Sequence, residues 1–196
     1  MHRLSAVCVF CGSNPGADPA YAESARRMGQ TLADRGVTLV YGGGRVGLMG
    51  ALADAALEAG GRVIGVIPEA LRRREVAHER LTQLRVVQTM HERKQLMADL
   101  SDGFIAMPGG FGTFEEFCEV LTWSQLGMHA KPCGLLNVKS YYAGLLALFD
   151  HAVAEQLLHP RNRAMVIADS EPKPLLEAMI RYRAPAVEKW LTAETT

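Results

Sequence analysis

The sequence predicts an α/β fold built on a parallel sheet, and three observations predict it. Short apolar, β-branched runs alternate with longer segments of helical period along the whole chain. Several of the short runs are apolar throughout, as parallel strands covered on both faces must be. Three of these runs are followed by loops rich in glycine or small polar residues, which is where an open parallel sheet places its ligands.

Taken in order, the first strand is expected at residues 6–11 and leads to a helix at 19–35, where Tyr21, Ala25, Met28 and Leu32 recur at helical spacing before Gly36 supplies a stop. A second strand at 37–41 precedes a helix at 47–59, and a third at 62–67 runs into a polar stretch containing Arg72, Arg73, Arg74 and Glu75. That stretch reads either as a solvated basic loop or as a lid lending an acid to the cleft. The fourth strand, 84–87, is followed by a helix at 90–100 on which Arg93 shares a stripe with Leu96, Met97 and Leu100. Strands at 103–107, 133–136 and 165–168, with helices at 113–125, 141–155 and 173–183, complete the series. No linker, low-complexity tract or repeat divides it, so residues 1–196 are expected to form one domain.

Composition narrows the function. Lys+Arg and Asp+Glu are both 21, so the formal charge is zero and gives no electrostatic reason to expect a nucleic acid as partner. The longest N-terminal apolar run, 6–11, is too short for a secretory signal core, and no stretch is long enough to span a bilayer. A cytoplasmic protein without membrane association is expected. Cys8 and Cys11 form a C-x-x-C inside a strand, where side chains three apart face opposite ways, and Cys118 and Cys133 lack that spacing. All four read as buried thiols rather than metal ligands.

Function is sought in the loops that follow strands. The sharpest is Pro108-Gly109-Gly110-Phe111-Gly112-Thr113, whose glycines permit close backbone approach ahead of a helix N-terminus suited to phosphate. The same residues admit a plain capping reading, because Thr113-Phe114-Glu115-Glu116 matches the T-x-x-E box. The loop from Gly42 through Gly43 and Gly44 to Gly47 formally satisfies G-x-G-x-x-G, with Glu69 after the next strand, which would suit a dinucleotide-dependent oxidoreductase. It follows the second strand rather than the first, and the chain has no room for a substrate domain. Gly12 and Ser13, with Gly43 and Gly44, are candidates for additional phosphate contacts. Arg93, on the core side of its helix, needs an anion: a structural carboxylate or a substrate phosphate.

Together, Gly42-Gly43-Gly44 with Gly47-Leu48-Met49-Gly50, Met90-His91-Glu92-Arg93-Lys94, and Pro108-Gly109-Gly110-Phe111-Gly112-Thr113-Phe114-Glu115-Glu116 resemble the LONELY GUY family of cytokinin riboside 5'-monophosphate phosphoribohydrolases. The resemblance implies a Rossmann-like, doubly wound fold, a homodimer, and hydrolysis of a nucleoside 5'-monophosphate to free base and ribose 5-phosphate without metal or organic cofactor. By position it implies substrate contacts from Glu75, Arg93, Lys94, Gly110, Phe111, Gly112, Thr113, Phe114, Glu115, Glu116 and Thr122, with Arg93 and Glu116 as the catalytic pair. Chemistry agrees for Glu116, since loss of an N-linked base leaves positive charge on the ribose that a carboxylate can stabilise. Glu115 and Glu116 are about 100° apart around a helix, so only one can face the sugar. A non-catalytic nucleotide carrier or sensor using the same loops is the alternative, and the presence of both charges favours the enzyme.

Overall fold

The structure, a computed structural model, describes residues 4–72 and 77–185. Seven parallel strands form one sheet in the order β4-β3-β2-β1-β5-β6-β7. They are β1 (Ala6–Phe10), β2 (Thr38–Tyr41), β3 (Val63–Pro68), β4 (Gln83–Val87), β5 (Phe104–Ala106), β6 (Cys133–Leu136) and β7 (Val166–Asp169). The first four step outward in one direction and the last three in the other, so winding reverses between β1 and β5 and opens a crevice at their carboxyl ends.

The helices are α1 (Pro19–Asp34), α2 (Gly47–Glu58), α3 (Glu69–Arg72), α4 (Met90–Asp99), α5 (Phe111–Gln125), α6 (Ala143–Ala154), α7 (Pro160–Arg163) and α8 (Pro172–Arg181). Two apolar layers hold them to the sheet. On one face Met28 and Leu32 of α1, Leu52 of α2 and Leu175 and Met179 of α8 pack on Val7, Val9 and Leu39. On the other, Met97 of α4 and Phe117 and Val120 of α5 pack on Cys8, Phe10, Val40 and Phe104. Cys8 and Cys11 fall in opposite layers, as strand alternation requires. Cys118 departs from expectation: it is exposed, because it lies on the outer face of α5. Neither α3 nor α7 was legible, since four residues carry no periodicity. The helix expected from 141 starts instead at Ala143, after a 3-10 turn (Val138–Ser140) in which Lys139 and Ser140 adopt left-handed backbone with φ of 50° and 59°.

One half-buried histidine braces the layer that carries α5. His129 receives the Lys131 N–H at Nδ1 (3.1 Å), so its proton sits on Nε2 and is donated to the Val120 carbonyl (2.9 Å). Burial pushes its pKa down to about 4, with the Lys131 charge adding a little in the same direction against the Val120 hydrogen bond. The unfolded chain therefore binds this proton more readily than the folded one. The stabilisation is complete above the unfolded value of about 6.5 and is lost as pH falls toward 4. Unfolding free energies from urea titrations at pH 7 and pH 5 are expected to differ by about 1–2 kcal/mol more in the wild type than in His129→Asn, after allowing for partial exposure. Equal pH dependence in the two proteins would contradict this.

Candidate active site

Three strand-following loops meet at the crevice. The Gly12 N–H donates to the Pro108 carbonyl (3.0 Å) and the Gly12 carbonyl accepts from Leu48 N–H (3.1 Å), stitching the loop after β1 to those after β5 and β2. Gly109 is required by close approach, because a Cβ there would lie 2.1 Å from Thr113 Oγ1 and 2.9 Å from Gly12 N. Gly110 and Gly112 differ: a Cβ built at either meets nothing within 4 Å, so space stands open over the first turn of α5. That turn has no side-chain cap. Gly110 is the N-cap residue and Phe111, 91% exposed, is the first in the helix.

The capping box expected at Thr113 is therefore not formed. The helix starts two residues earlier, which makes Thr113 its third residue, buried beneath Gly109, and Glu116 its sixth. At α4 the same T-x-x-E pattern does cap a helix, with Thr89 accepting from Glu92 N–H (3.1 Å) and the Glu92 carboxylate accepting from the N–H of Gln88, one residue before the cap (2.7 Å). It fixes the start of the helix that carries Arg93.

Arg93 is buried, and its guanidinium is gripped by the main chain: Nε donates to the Val66 carbonyl (3.1 Å) and Nη2 to the Gly42 carbonyl (2.9 Å). A Cβ at Gly42 would sit 2.2 Å from Nη2, so the glycine loop after β2 makes room for this arginine. Gly43 and Gly44 are buried behind it, whereas Ser13 is exposed and Gly12 half-buried at the crevice. The next residue, Lys94, turns to α5 and pairs with Glu115 (2.5 Å) and Glu119 (3.0 Å). Burial lowers its pKa, but the hydrogen bonds to the two carboxylates outweigh that and leave it raised.

Glu116, one residue on from Glu115, faces the sheet. Burial dominates the upward shift of the Cys8 thiol, and after it Glu116 raises and Arg93 lowers the same group. Burial and then Glu116 also push the Cys11 thiol up. One carboxylate and one guanidinium thus act, in opposite directions, on Cys8 at the middle of β1. Of the expected site residues, Gly110, Phe111, Gly112, Thr113 and Glu116 share the N-terminal part of α5, with Phe114 half-buried among them, and Arg93 and Glu116 both act on Cys8. The structure does not bring in Thr122, which lies exposed on α5, roughly 16 Å along the axis from Phe111, with its hydroxyl donating to the Cys118 carbonyl (2.8 Å). Glu75 lies outside the described residues.

Sequence reasoning missed the wall opposite. The Tyr141 hydroxyl donates to the Gly109 carbonyl and Tyr142 to that of Met107, while the Tyr141 ring meets Tyr21 and Phe114. Lys139 pairs with Asp18, and its hydrogen bond holds that carboxyl below its ordinary range. Because β5 lies between β1 and β6, this pair reaches across the end of β5. The position just after β6 was the available signal, and a search for glycine passes over it.

Comparison with known proteins sharpens this picture. A sequence profile of the family described as "Possible lysine decarboxylase" matches residues 49–179. The chain is 56% identical over 162 residues to a cytokinin riboside 5'-monophosphate phosphoribohydrolase of Rhodococcoides fascians, covering 82% of each chain. It is 48% identical over 180 residues to a probable enzyme of the same name from Oryza sativa subsp. japonica (92% of this chain, 81% of the relative) and 46% identical over 180 residues to one from Arabidopsis thaliana (92% and 83%). Among solved structures, the molybdenum cofactor carrier protein of Chlamydomonas reinhardtii superposes with a TM-score of 0.68 at 21% identity, covering 90% of this chain and 96% of that one, which shows a shared fold.

Proposed function

Because the chain belongs to the LONELY GUY family of cytokinin riboside 5'-monophosphate phosphoribohydrolases, we infer that it hydrolyses the N-glycosidic bond of an adenine-type nucleoside 5'-monophosphate. The products are the free base, adenine or its N6-modified form, and ribose 5-phosphate. The observation that carries this reading is that Arg93, held inward by the Val66 and Gly42 carbonyls, and Glu116 of α5 both act on Cys8 of β1, the strand whose following loop is stitched to the uncapped first turn of α5. The amides at Gly110, Phe111, Gly112 and Thr113 suit the 5'-phosphate. The C1'–N bond breaks with its electron pair leaving on the base, water supplies hydroxide to C1', and the proton of that water ends on the base. The Glu116 carboxylate stabilises the ribosyl cation or draws the proton from water. Arg93, locked by two carbonyls, supplies a fixed positive charge that orients sugar or acid.

A decarboxylase reading fits Lys94, the lysine next to Arg93, poorly. A lysine that forms a Schiff base must present an uncharged amine, whereas the carboxylates beside Lys94 hold it above its ordinary pKa. Incubating the protein with AMP and with N6-isopentenyl-AMP should release base and ribose 5-phosphate in equal amounts, resolved by chromatography. Failure to release base from either would overturn the assignment. The phosphate anchor adds a second expectation: kcat/KM for AMP should exceed that for adenosine by roughly a hundredfold or more, the worth of one or two charge-assisted hydrogen bonds. Comparable values would remove the phosphate cradle.

The protein is proposed to act as a homodimer in the cytoplasm. All of α6 lacks a buried residue although it carries Leu145, Leu146, Leu148 and Phe149, and with α5 it walls an apolar groove of about 390 Å³ that includes Leu121 and the 85% exposed Leu157. A second copy covering this groove would bury Cys118, and it offers Thr122 a route to substrate through the neighbouring subunit's site. Light scattering in dilute solution should give twice the chain mass of 21.4 kDa, and a monomer mass would reject the dimer. Among the described residues no helix is long and apolar enough to cross a membrane. The four cysteines are free, which suits a reducing compartment.

A further inference from the structure

We propose that His78 and Asp54 are positioning residues that brace the loop 42–44 from behind and thereby hold Arg93 in place. This rests on the reading of Arg93 as a catalytic residue. His78 is a buried imidazole, 2% exposed, for which the chemistry above has no task. Its Nδ1 accepts the Arg80 N–H (3.2 Å), so its proton is on Nε2 and is directed at Asp54 Oδ1 (3.1 Å) on α2. Its own N–H donates to the Gly43 carbonyl (2.9 Å), and the neighbouring Ala77 forms an antiparallel bridge with Gly44.

Each carbonyl of the loop is therefore committed: Gly42 to Arg93 Nη2, Gly43 to His78 N–H, and Gly44 to the Tyr41 hydroxyl (3.2 Å). The loop runs directly into α2, and Asp54 on that helix returns through the His78 ring to Gly43, which closes a ring of contacts around the glycines. Glycines offer no side chains to hold such a turn, so rigidity has to come from outside it. A displacement of Gly42 passes straight to Arg93, because the Gly42 carbonyl and the Arg93 guanidinium are in hydrogen-bond contact.

The test separates this brace from general stability. In His78→Asn the shorter amide oxygen can still accept the Arg80 N–H, as asparagine does in local turns, but the side chain no longer reaches Asp54. We expect kcat on AMP to fall roughly tenfold with KM changed less than about twofold, as for misplacement of a group acting in the transition state. Asp54→Ala should do the same, and the double variant should be no worse than either alone. The ¹H–¹⁵N resonance of Arg93 Nε–H should shift or broaden in all three. His129→Asn, which alters a half-buried histidine elsewhere, should lower Tm and leave both kcat and that resonance unchanged. A folded His78→Asn with the wild-type Arg93 resonance and kcat within twofold would overturn the proposal, as would an equal kcat loss in His129→Asn. Should His78→Asn fail to fold, Asp54→Ala, whose side chain is partly exposed, decides by the same two readouts. A wild-type protein that leaves AMP intact would sink the hydrolase reading, while the Arg93 resonance would still decide the brace.

Discussion

Arg93→Lys is expected to leave the protein folded and to lower kcat on AMP by roughly 10² to 10³, the usual cost of removing a fixed electrostatic stabiliser. Lysine keeps the charge but presents a single ammonium on a flexible stem, and it cannot span the Val66 and Gly42 carbonyls with the planar fork that arginine uses. Arg93→Met is the complementary variant. It retains approximate volume, removes the charge and leaves two buried carbonyls without their donor, each worth about 1–3 kcal/mol. Its Tm should drop clearly, and its kcat should fall at least as far as that of the lysine variant. The contrast separates two roles. If Arg93 only clamped the loop after β2, activity would follow stability, and lysine would cost little. Steady-state kinetics alongside thermal melts decide the matter: an Arg93→Lys protein within fivefold of wild-type kcat would reduce this arginine to a structural clamp.

How far the site could be read from sequence depended on what each signal was physically about. All seven strands were legible to within a residue or two, the inner ones because burial on both faces leaves runs such as Val63–Pro68 apolar throughout, whereas the partly exposed edge strands β4 and β7 rest on their short β-branched runs. Arg93 was legible as inward-facing because helical periodicity alone places it with Leu96 and Met97. Its partners were not, since the Gly42 and Val66 carbonyls are 51 and 27 residues away and main-chain acceptors leave no mark in side-chain sequence. The T-x-x-E pattern occurs at both Thr89 and Thr113, and local sequence cannot rank the two. Tertiary packing ranks them: Thr113 is buried beneath Gly109, whereas Thr89 stands at the entry to α4 and is available to cap it. The glycine search found the close approach at Gly109, where a Cβ would meet Thr113 and Gly12. Gly43 and Gly44, the other glycines it singled out, are buried, with their carbonyls taken by His78 N–H and the Tyr41 hydroxyl. The Asp18–Lys139 pair joins residues 121 apart on two loops that become neighbours only through the order of β1, β5 and β6.

Glu116→Gln is expected to fold normally and to lose roughly 10² to 10⁴ in kcat. With Glu116 at the sixth position of α5, outside the first turn, its contribution cannot be that of a cap, so the substitution tests charge rather than helix initiation. Glutamine keeps the size and loses the negative charge, and with it any stabilisation of the ribosyl cation or activation of water. Binding of the monophosphate, held by the open turn of α5 and by Arg93, should persist, so KM should change far less than kcat. Glu115→Gln is the internal control. That carboxylate is itself exposed and pairs with the largely covered Lys94, which keeps Glu119 as a second partner when Glu115 is lost. Its loss should lower Tm slightly and kcat by no more than a few-fold. The two neighbours thus make a paired experiment in which sequence position is almost constant and only the direction of the side chain differs. Chromatographic assay of base release from AMP and its N6-prenyl analogue gives the outcome: a Glu116→Gln protein that cleaves either substrate at a rate near wild type, or a Glu115→Gln protein that is equally crippled, would undo the mechanism.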